Sequence, residues 1–331
     1  MILWSQFIAC TAIILYSGTK LAKYGDVIAE KTGLGKTWIG VVLLAATTSL
    51  PELITGISSV VFFDVPDIAM GNVLGACMVN LLMIAVLDVV GGSLPISARA
   101  HQGQVLTAAF GIVLLGLVIL SMASGIMMPS LAWIGLYSLV IIMTYLVAMR
   151  MVFLYEQKRI TEFVQEMAVE VQYKEISKQE SYTKYGINAV LLIAVATYLP
   201  SVGERIAQTT GLGETFVGTI FISVSTTLPE TVVSLAALKI GAVDMAFGNI
   251  FGSNIFNIMI LAIDDIVYTK GPLFSFVSAN HMVSAMAAIT MSAIAIIGLT
   301  YRTSKKPFLF AWDALGILTV YAFAVFALYQ T

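Results

Sequence analysis

Two glutamates sit in matching surroundings. Glu52 closes Thr48-Ser49-Leu50-Pro51-Glu52, and Glu230 closes Thr226-Thr227-Leu228-Pro229-Glu230, 178 residues later. Each acid follows a proline inside a long apolar stretch. Proline has no N–H and its ring clashes with the carbonyl four residues back, so a helix kinks there. Carbonyls near Thr47 and Thr48 then lose their usual donor. Bare carbonyls in hydrocarbon are costly unless they line a cavity or hold something. Glutamate is a hard oxygen ligand. Thr48 stands four residues before Glu52 on the same helical face, and Ala45, a further turn back, offers its main-chain oxygen. The second copy supplies Thr226 and Ser223 in the matching places. Two carboxylates with hydroxyl and carbonyl oxygens suit Ca2+, which takes about 6–8 oxygen ligands. A single Pro-Glu could be a kink with an acid reaching toward an interface. Two at equivalent mid-span depth point to an ion path, because an unpaired acid in a membrane is expensive.

A second echo follows each acid. Gly71-Asn72-Val73-Leu74-Gly75 with Asn80 matches Gly248-Asn249-Ile250-Phe251-Gly252 with Asn257, at an offset of 177. The paired glycines allow close helix approach or a break in the helix. Asn72, Asn80, Asn249, Asn254 and Asn257 are amides in otherwise apolar spans. For Asn72 and Asn249, interhelical hydrogen bonding and ion binding are equal readings. Asn80 and Asn257 are assigned to the site, because both recur five residues after the second glycine.

The elements that must position these groups are membrane helices. Of 331 residues, 59% are hydrophobic and 11% charged, against roughly 25% charged in a soluble domain. Mean hydropathy is +0.95. Apolar windows of the length a spanning helix needs fall at 2–19, 37–62, 67–87, 104–122, 131–153, 186–203, 214–238, 243–263, 277–299 and 309–329. The expected fold is an all-α membrane protein of ten transmembrane helices, arranged as two inverted five-helix repeats. Residues 1–153 form the first repeat, 154–185 a cytoplasmic connector and 186–331 the second. An odd number of spans per repeat turns the second copy over in the membrane. Basic residues agree: 15 of the 17 Lys and Arg follow odd-numbered spans, and only Arg205 and Lys270 lie on the other side. The positive-inside rule then puts odd loops in the cytoplasm and both termini outside. Met1 to Tyr16 resembles a signal-peptide core, but its basic residues, Lys20 and Lys23, follow it, so it is read as a retained first span. The connector mixes glutamates with Lys and Arg and lacks a calcium-loop pattern; it is read as solvated. Cys10 and Cys77 lie in apolar segments and suggest neither a disulfide framework nor a zinc site. His101 and His281 lie near span ends without ligand spacing, and no nucleophile–base pair is evident, so no enzyme is expected. Asp88 and Asp265 match across the repeat and, with Asp264, are read as span-end residues, with an ion vestibule as the alternative.

The two halves resemble the α-repeats of the cation/calcium exchanger superfamily. The resemblance covers nearly the whole chain and is strongest over 33–88 and 211–265, where each copy opens Gly-Leu-Gly. It implies alternating access, with Ca2+ and a coupling ion competing for one cluster. It makes Glu52 and Glu230 central ligands and Thr48, Ser49, Thr226 and Thr227 oxygen donors. It gives Ala45 and Ser223 carbonyl roles, and Ser253, Asn80 and Asn257 complete the set. Metal contact falls first to Glu52, Glu230, Thr48 and Thr226. The transported ions are Ca2+ and Na+ (or H+), with no cofactor. The partners are inorganic cations and the lipid bilayer of a cell (inner) membrane, with no nucleic acid. The chain departs from the family pattern where Gly252-Ser253-Asn254 faces Gly75-Ala76-Cys77. Ala76 removes a hydroxyl from one sodium position. With Asn80 and Asn257 in place of an acid, the cluster holds at most two negative charges. H+ coupling, or Mg2+ or Mn2+ as the divalent ion, are the alternatives.

Overall fold

The computed structural model describes residues 2–32, 47–124, 129–163, 176–303, 305–306 and 309–330. Ala45, Gly33-Leu34-Gly35 and the middle of the connector lie outside the described residues. The long helices are α1 (Ile2–Thr32), α2 (Leu50–Ser58), α3 (Pro66–Val90), α4 (Gln104–Ala123) and α5 (Leu136–Phe163). They continue with α6 (Lys178–Thr210), α7 (Ser223–Lys239), α8 (Val243–Val267), α9 (His281–Tyr301) and α10 (Trp312–Tyr329). Among the described residues, nine helices are long and apolar enough to cross a membrane, and Leu50–Phe63 is a shorter apolar helix.

Two helices outrun their predicted spans. The windows 2–19 and 186–203 stop at the first charges, but α1 has 31 residues and α6 has 33. At about 1.5 Å per residue each runs some 45–50 Å, well past the roughly 30 Å hydrocarbon core. They pack along one another. Their polar extension is tied by Lys184, which pairs with Glu180 at 2.6 Å and lies over the Tyr24 ring. A third difference is at 131. Residues 130–135 form a two-stranded hairpin, with Ser130 opposite Gly135 and Ala132 at φ 58, so that helix starts at Leu136.

The core is built around the two Gly-Asn helices. The best apolar window of α3 is 78% buried, against 22% for α1. α3 packs on α7, α8, α9 and α10 and on a π-helical segment, Val217–Ile222, that leads into α7. Glycine makes that approach possible. A Cβ on Gly71 would lie 2.8 Å from the Thr219 nitrogen, and one on Gly75 would overlap the Thr219 carbonyl. The counterpart of that segment, 39–44, is outside the described residues. The kink proline of α7 has a matching seat: a Cβ on Gly18 of α1 would stand 2.5 Å from Pro229 Cγ.

Asp88 and Asp265 are structural. Asp88 Oδ1 accepts from the Ile96 amide at 2.9 Å, Oδ2 accepts from the Ala311 amide at 2.7 Å, and Lys306 pairs with it at 3.1 Å. Asp265 Oδ1 accepts from the Leu273 amide at 2.7 Å and Tyr137 Oη at 2.5 Å. Its Oδ2 accepts from the Gly135 amide at 2.9 Å and Ser138 Oγ at 2.6 Å. Each acid thus caps an amide eight residues downstream and another just before a fifth helix, α10 for Asp88 and α5 for Asp265. The pair closes its helices, but both acids are fully buried, facing inward to these donors and not to solvent.

Candidate cation site

The predicted site residues are gathered where α2, α3, α7 and α8 meet. Thr48, Ser49, Glu52, Asn80, Ser223, Thr226, Thr227, Glu230, Ser253 and Asn257 are all buried. Glu52 sits in the first turn of α2, with Pro51 just before it at the helix start, where a missing N–H costs nothing. Pro229 instead interrupts α7 from within.

The two copies hold one another. Thr227 Oγ1 donates to Glu52 Oε1 at 3.1 Å, and Ser49, at the matching place in the other copy, faces Glu230. Thr226 Oγ1 donates to Asn72 Oδ1 at 2.9 Å and lies 3.1 Å from the Ser223 carbonyl. Ser223 Oγ donates to the Thr219 carbonyl in the preceding π-helical segment. Thr48 is fully buried at the start of this segment.

Asn72 and Asn249, left open by the sequence, take equivalent positions. Asn72 Nδ2 donates to the Glu52 carbonyl at 3.2 Å, and Asn249 Nδ2 to the Glu230 carbonyl at 3.3 Å. Each amide fixes the main chain at a glutamate and leaves the carboxylate to other partners. Asn254 also proves part of the arrangement. It accepts from Asn80 Nδ2 at 3.1 Å and donates to the Cys77 carbonyl at 3.3 Å. The repeat signal that flagged Asn80 would have found it, had its first-copy counterpart not been Cys77.

Among the described residues, Glu52 Oε2, both Glu230 carboxylate oxygens, Ser49 Oγ, Ser253 Oγ and Asn257 Oδ1 are buried with no hydrogen-bond partner. Buried polar atoms in proteins are nearly always partnered, so these unpartnered oxygens mark the candidate cation site. No three His, Cys, Asp or Glu side chains converge among the described residues. The cluster is two carboxylates surrounded by neutral oxygens. That composition matches a hard cation and not a soft transition metal.

Nine membrane-length apolar helices among the described residues define an integral, multi-pass membrane protein. The chain belongs to the sodium/calcium exchanger protein family, whose model matches residues 2–154 and 185–330. Members of that family are transporters and not enzymes. Among relatives, the chain is 23% identical over 300 residues to the inner membrane protein YrbG of Escherichia coli (strain K12), covering 89% of this chain and 87% of that one. It is 27% identical over 145 residues to the sodium/calcium exchanger MaX1 of Methanosarcina acetivorans, covering 43% of this chain and 39% of that one. Among solved structures, native YfkE matches with a TM-score of 0.69 at 16% identity, over 98% of this chain and 92% of that one. The sodium/calcium exchanger NCX_Mj matches at 0.60 and 22%, over 98% of both chains. These likenesses establish the fold.

Proposed function

We propose that the protein is a secondary-active antiporter that exchanges Ca2+ for Na+ by alternating access, with Glu52 and Glu230 as the central ligands. The observation that carries it is that three of their four carboxylate oxygens have no partner among the described residues, deep in a membrane bundle. Such groups need a cation or a proton. Thr48, Ser49, Thr226, Thr227, Ser253 and Asn257 bring further oxygens, and Ala45 and Ser223 bring carbonyls. One Ca2+ balances two ionised glutamates, and so do two Na+ or two protons on the return stroke. The proposed frame is ten spans in two inverted repeats, 1–153 and 186–331, joined by a cytoplasmic connector, with both termini outside.

H+ coupling is the second reading, and the Ala76–Cys77 departure favours it. Asn80 bonds Asn254 across the interface, but the mirrored partner of Asn257 is the Cys77 thiol, which supplies no amide. With Ala76 opposite Ser253, the first copy offers fewer oxygens for a sodium ion than the second.

The test is Ca2+ uptake into proteoliposomes under imposed Na+ or H+ gradients, with Mg2+ and Mn2+ as competitors and with Glu52→Gln and Glu230→Gln as variants. Sodium-driven Ca2+ uptake lost in both variants is expected. Exchange retained in both variants refutes the site. Uptake driven by H+ but not Na+ replaces the first reading by the second.

A further inference from the structure

The two halves differ at one more place inside the membrane. Asp264 on α8 is completely buried, and among the described residues neither of its carboxylate oxygens has a hydrogen-bond partner. Its carboxylate lies directly against Gly56 of α2: a Cβ there would stand 2.5 Å from Oδ2 and 2.8 Å from Oδ1. Gly56 is one helical turn beyond Glu52, on the same face. In the repeat register the counterpart of Gly56 is Ser234 and that of Asp264 is Leu87. Both members of the contact change together. One half holds an acid in a space that only glycine leaves, and the other holds leucine and serine.

Asp264 also continues the site. Ser253, Asn257 and Asp264 fall within about 40° of one another around α8, at 100° per residue. The buried oxygens of all three lack partners. Asp264 lies about 10 Å along the axis from Asn257, toward the end where Lys270 pairs with Asp64 at 2.5 Å. By the distribution of basic residues that is the outer end.

The ionisable groups around this part of α8 are few. Asp265 is next door on α8, its carboxyl oxygens engaged by four donors. α2 carries Glu52, α3 carries Asp67, Cys77 and Asp88, and α7 carries Glu230 and Lys239; α5 carries Tyr137 and Tyr145 on this side, while Arg150 and Tyr155 are 12 and 17 residues beyond Ser138, about 18 Å or more further along the axis. α4 carries none. At the outer mouth, Asp64 is engaged by Lys270 and Tyr268. None of these is a basic partner of Asp264. Of two adjacent acids, Asp265 has four donors and Asp264 has none among the described residues, and a buried carboxyl without donors or a cation is costly to ionise.

We propose that Asp264 is a proton-carrying waystation on the outer arm of the ion route. It keeps a carboxylic proton while that arm is shut. When the arm opens, the O–H bond breaks, the proton passes to external water, and the carboxylate takes up the cation moving between the outside and the Glu52–Glu230 pair. This rests on the antiporter reading of that pair.

The experiment uses the full-length protein in liposomes at fixed internal pH, with Ca2+ exchange followed as external pH is lowered. The variants are Asp264→Asn, Asp264→Glu and Glu52→Gln. Infrared spectra of the purified protein at neutral pH follow the protonated-carboxyl band. A single titrating proton gives an acid limb approaching about tenfold per pH unit. Wild type should show that limb from outside. Asp264→Asn should exchange more slowly, lose the limb and lose part of the carboxyl band. An unchanged limb and band overturn the proposal. If Asp264→Asn is not monodisperse, Asp264→Glu carries the test, with a displaced midpoint expected and an unchanged one overturning it. Exchange abolished by Glu52→Gln, with Asp264→Asn behaving as wild type, removes the waystation alone. Exchange retained by Glu52→Gln removes the central site beneath it.

Discussion

Asp264 and Asp265 are neighbours on one helix, and their removal should have very different consequences for stability. Asp265→Ala deletes the acceptor of four buried donors. The Gly135 and Leu273 amides, at 2.9 and 2.7 Å, are main-chain groups that cannot turn elsewhere. Each then bears a desolvation penalty of about 1–3 kcal/mol. Tyr137 Oη already accepts from the Phe274 amide at 3.0 Å, so its own proton is left without an acceptor, adding about 1 kcal/mol. The Ser138 hydroxyl can rotate and is counted as zero. The loss is roughly 3–7 kcal/mol, and at about 2 °C per kcal/mol for a chain of this size the melting point falls by about 6–14 °C. Asp264→Asn removes no hydrogen bond and exchanges one neutral group for another of the same shape. Its shift should be at most a third of that. Thermal unfolding in detergent, followed by tryptophan fluorescence, measures both. Trp133 is a local reporter, since its indole donates to the Ile266 carbonyl at 3.0 Å. Equal shifts for the two variants, or an Asp265→Ala melt within about 2 °C of wild type, would refute the assignment of Asp265 as a cap.

Other outcomes follow from the same structure. Gly75→Ala should destabilise by about 1–3 kcal/mol, because its Cβ would meet the Thr219 carbonyl and would lie 2.6 Å from Ser223 Oγ; the thermal melt measures this. The double variant Ala76→Ser with Cys77→Asn should increase the apparent Na+ affinity and the cooperativity of Na+-driven Ca2+ uptake, and an unchanged Na+ dependence would count against the sodium position. Lys270 beside Asp64 holds that carboxyl below the usual range. Its folded value is therefore below its unfolded one, so the pair stabilises above the ordinary aspartate range near pH 4. That contribution is lost as pH falls through the folded value. Asp64→Asn should flatten the acid limb of melting temperature against pH, and about 1 M salt should erase the difference, because the pair is half exposed.

The helices, their approximate places and the buried acids were legible because each is written in composition. Hydrocarbon-length runs, a doubled Pro-Glu and a one-sided distribution of lysine and arginine need no tertiary knowledge. The overrun of α1 and α6 was not legible, since hydropathy ends at the first charges while the pair of helices packs onward as a unit. The start of α5 was misplaced because the hairpin at 130–135 is apolar; what ends the strand is Asp265, more than a hundred residues away. The roles of Asn72 and Asn249 were undecidable for a similar reason. An amide that binds an ion and an amide that binds a neighbouring helix read alike, until the carbonyl of Glu52 or Glu230 is seen beside it. Ala45, which the sequence placed in the site, lies outside the described residues, as does the segment that mirrors Val217–Ile222.

The repeat is a template whose departures carry the information. Where the two copies must grip one another, they match: Asn72 and Asn249 fix the glutamates, and Asp88 and Asp265 each cap the opposite half. Where they differ, the departures sit at contacts of one half. Cys77 faces Asn254 and lies beside Asn257, and Leu87 with Ser234 stands where the other half has Asp264 with Gly56. An inward and an outward arm built from identical parts would release cargo with the same chemistry on both sides. In the proposed route, a carboxylate on one arm alone would make the outer exit respond to protons while the inner one does not, because a buried acid without donors takes a proton whenever no cation is there. The sidedness of the pH response therefore distinguishes a directional carrier from a symmetric one, and on this structure it resides in a single acid and the glycine that makes room for it.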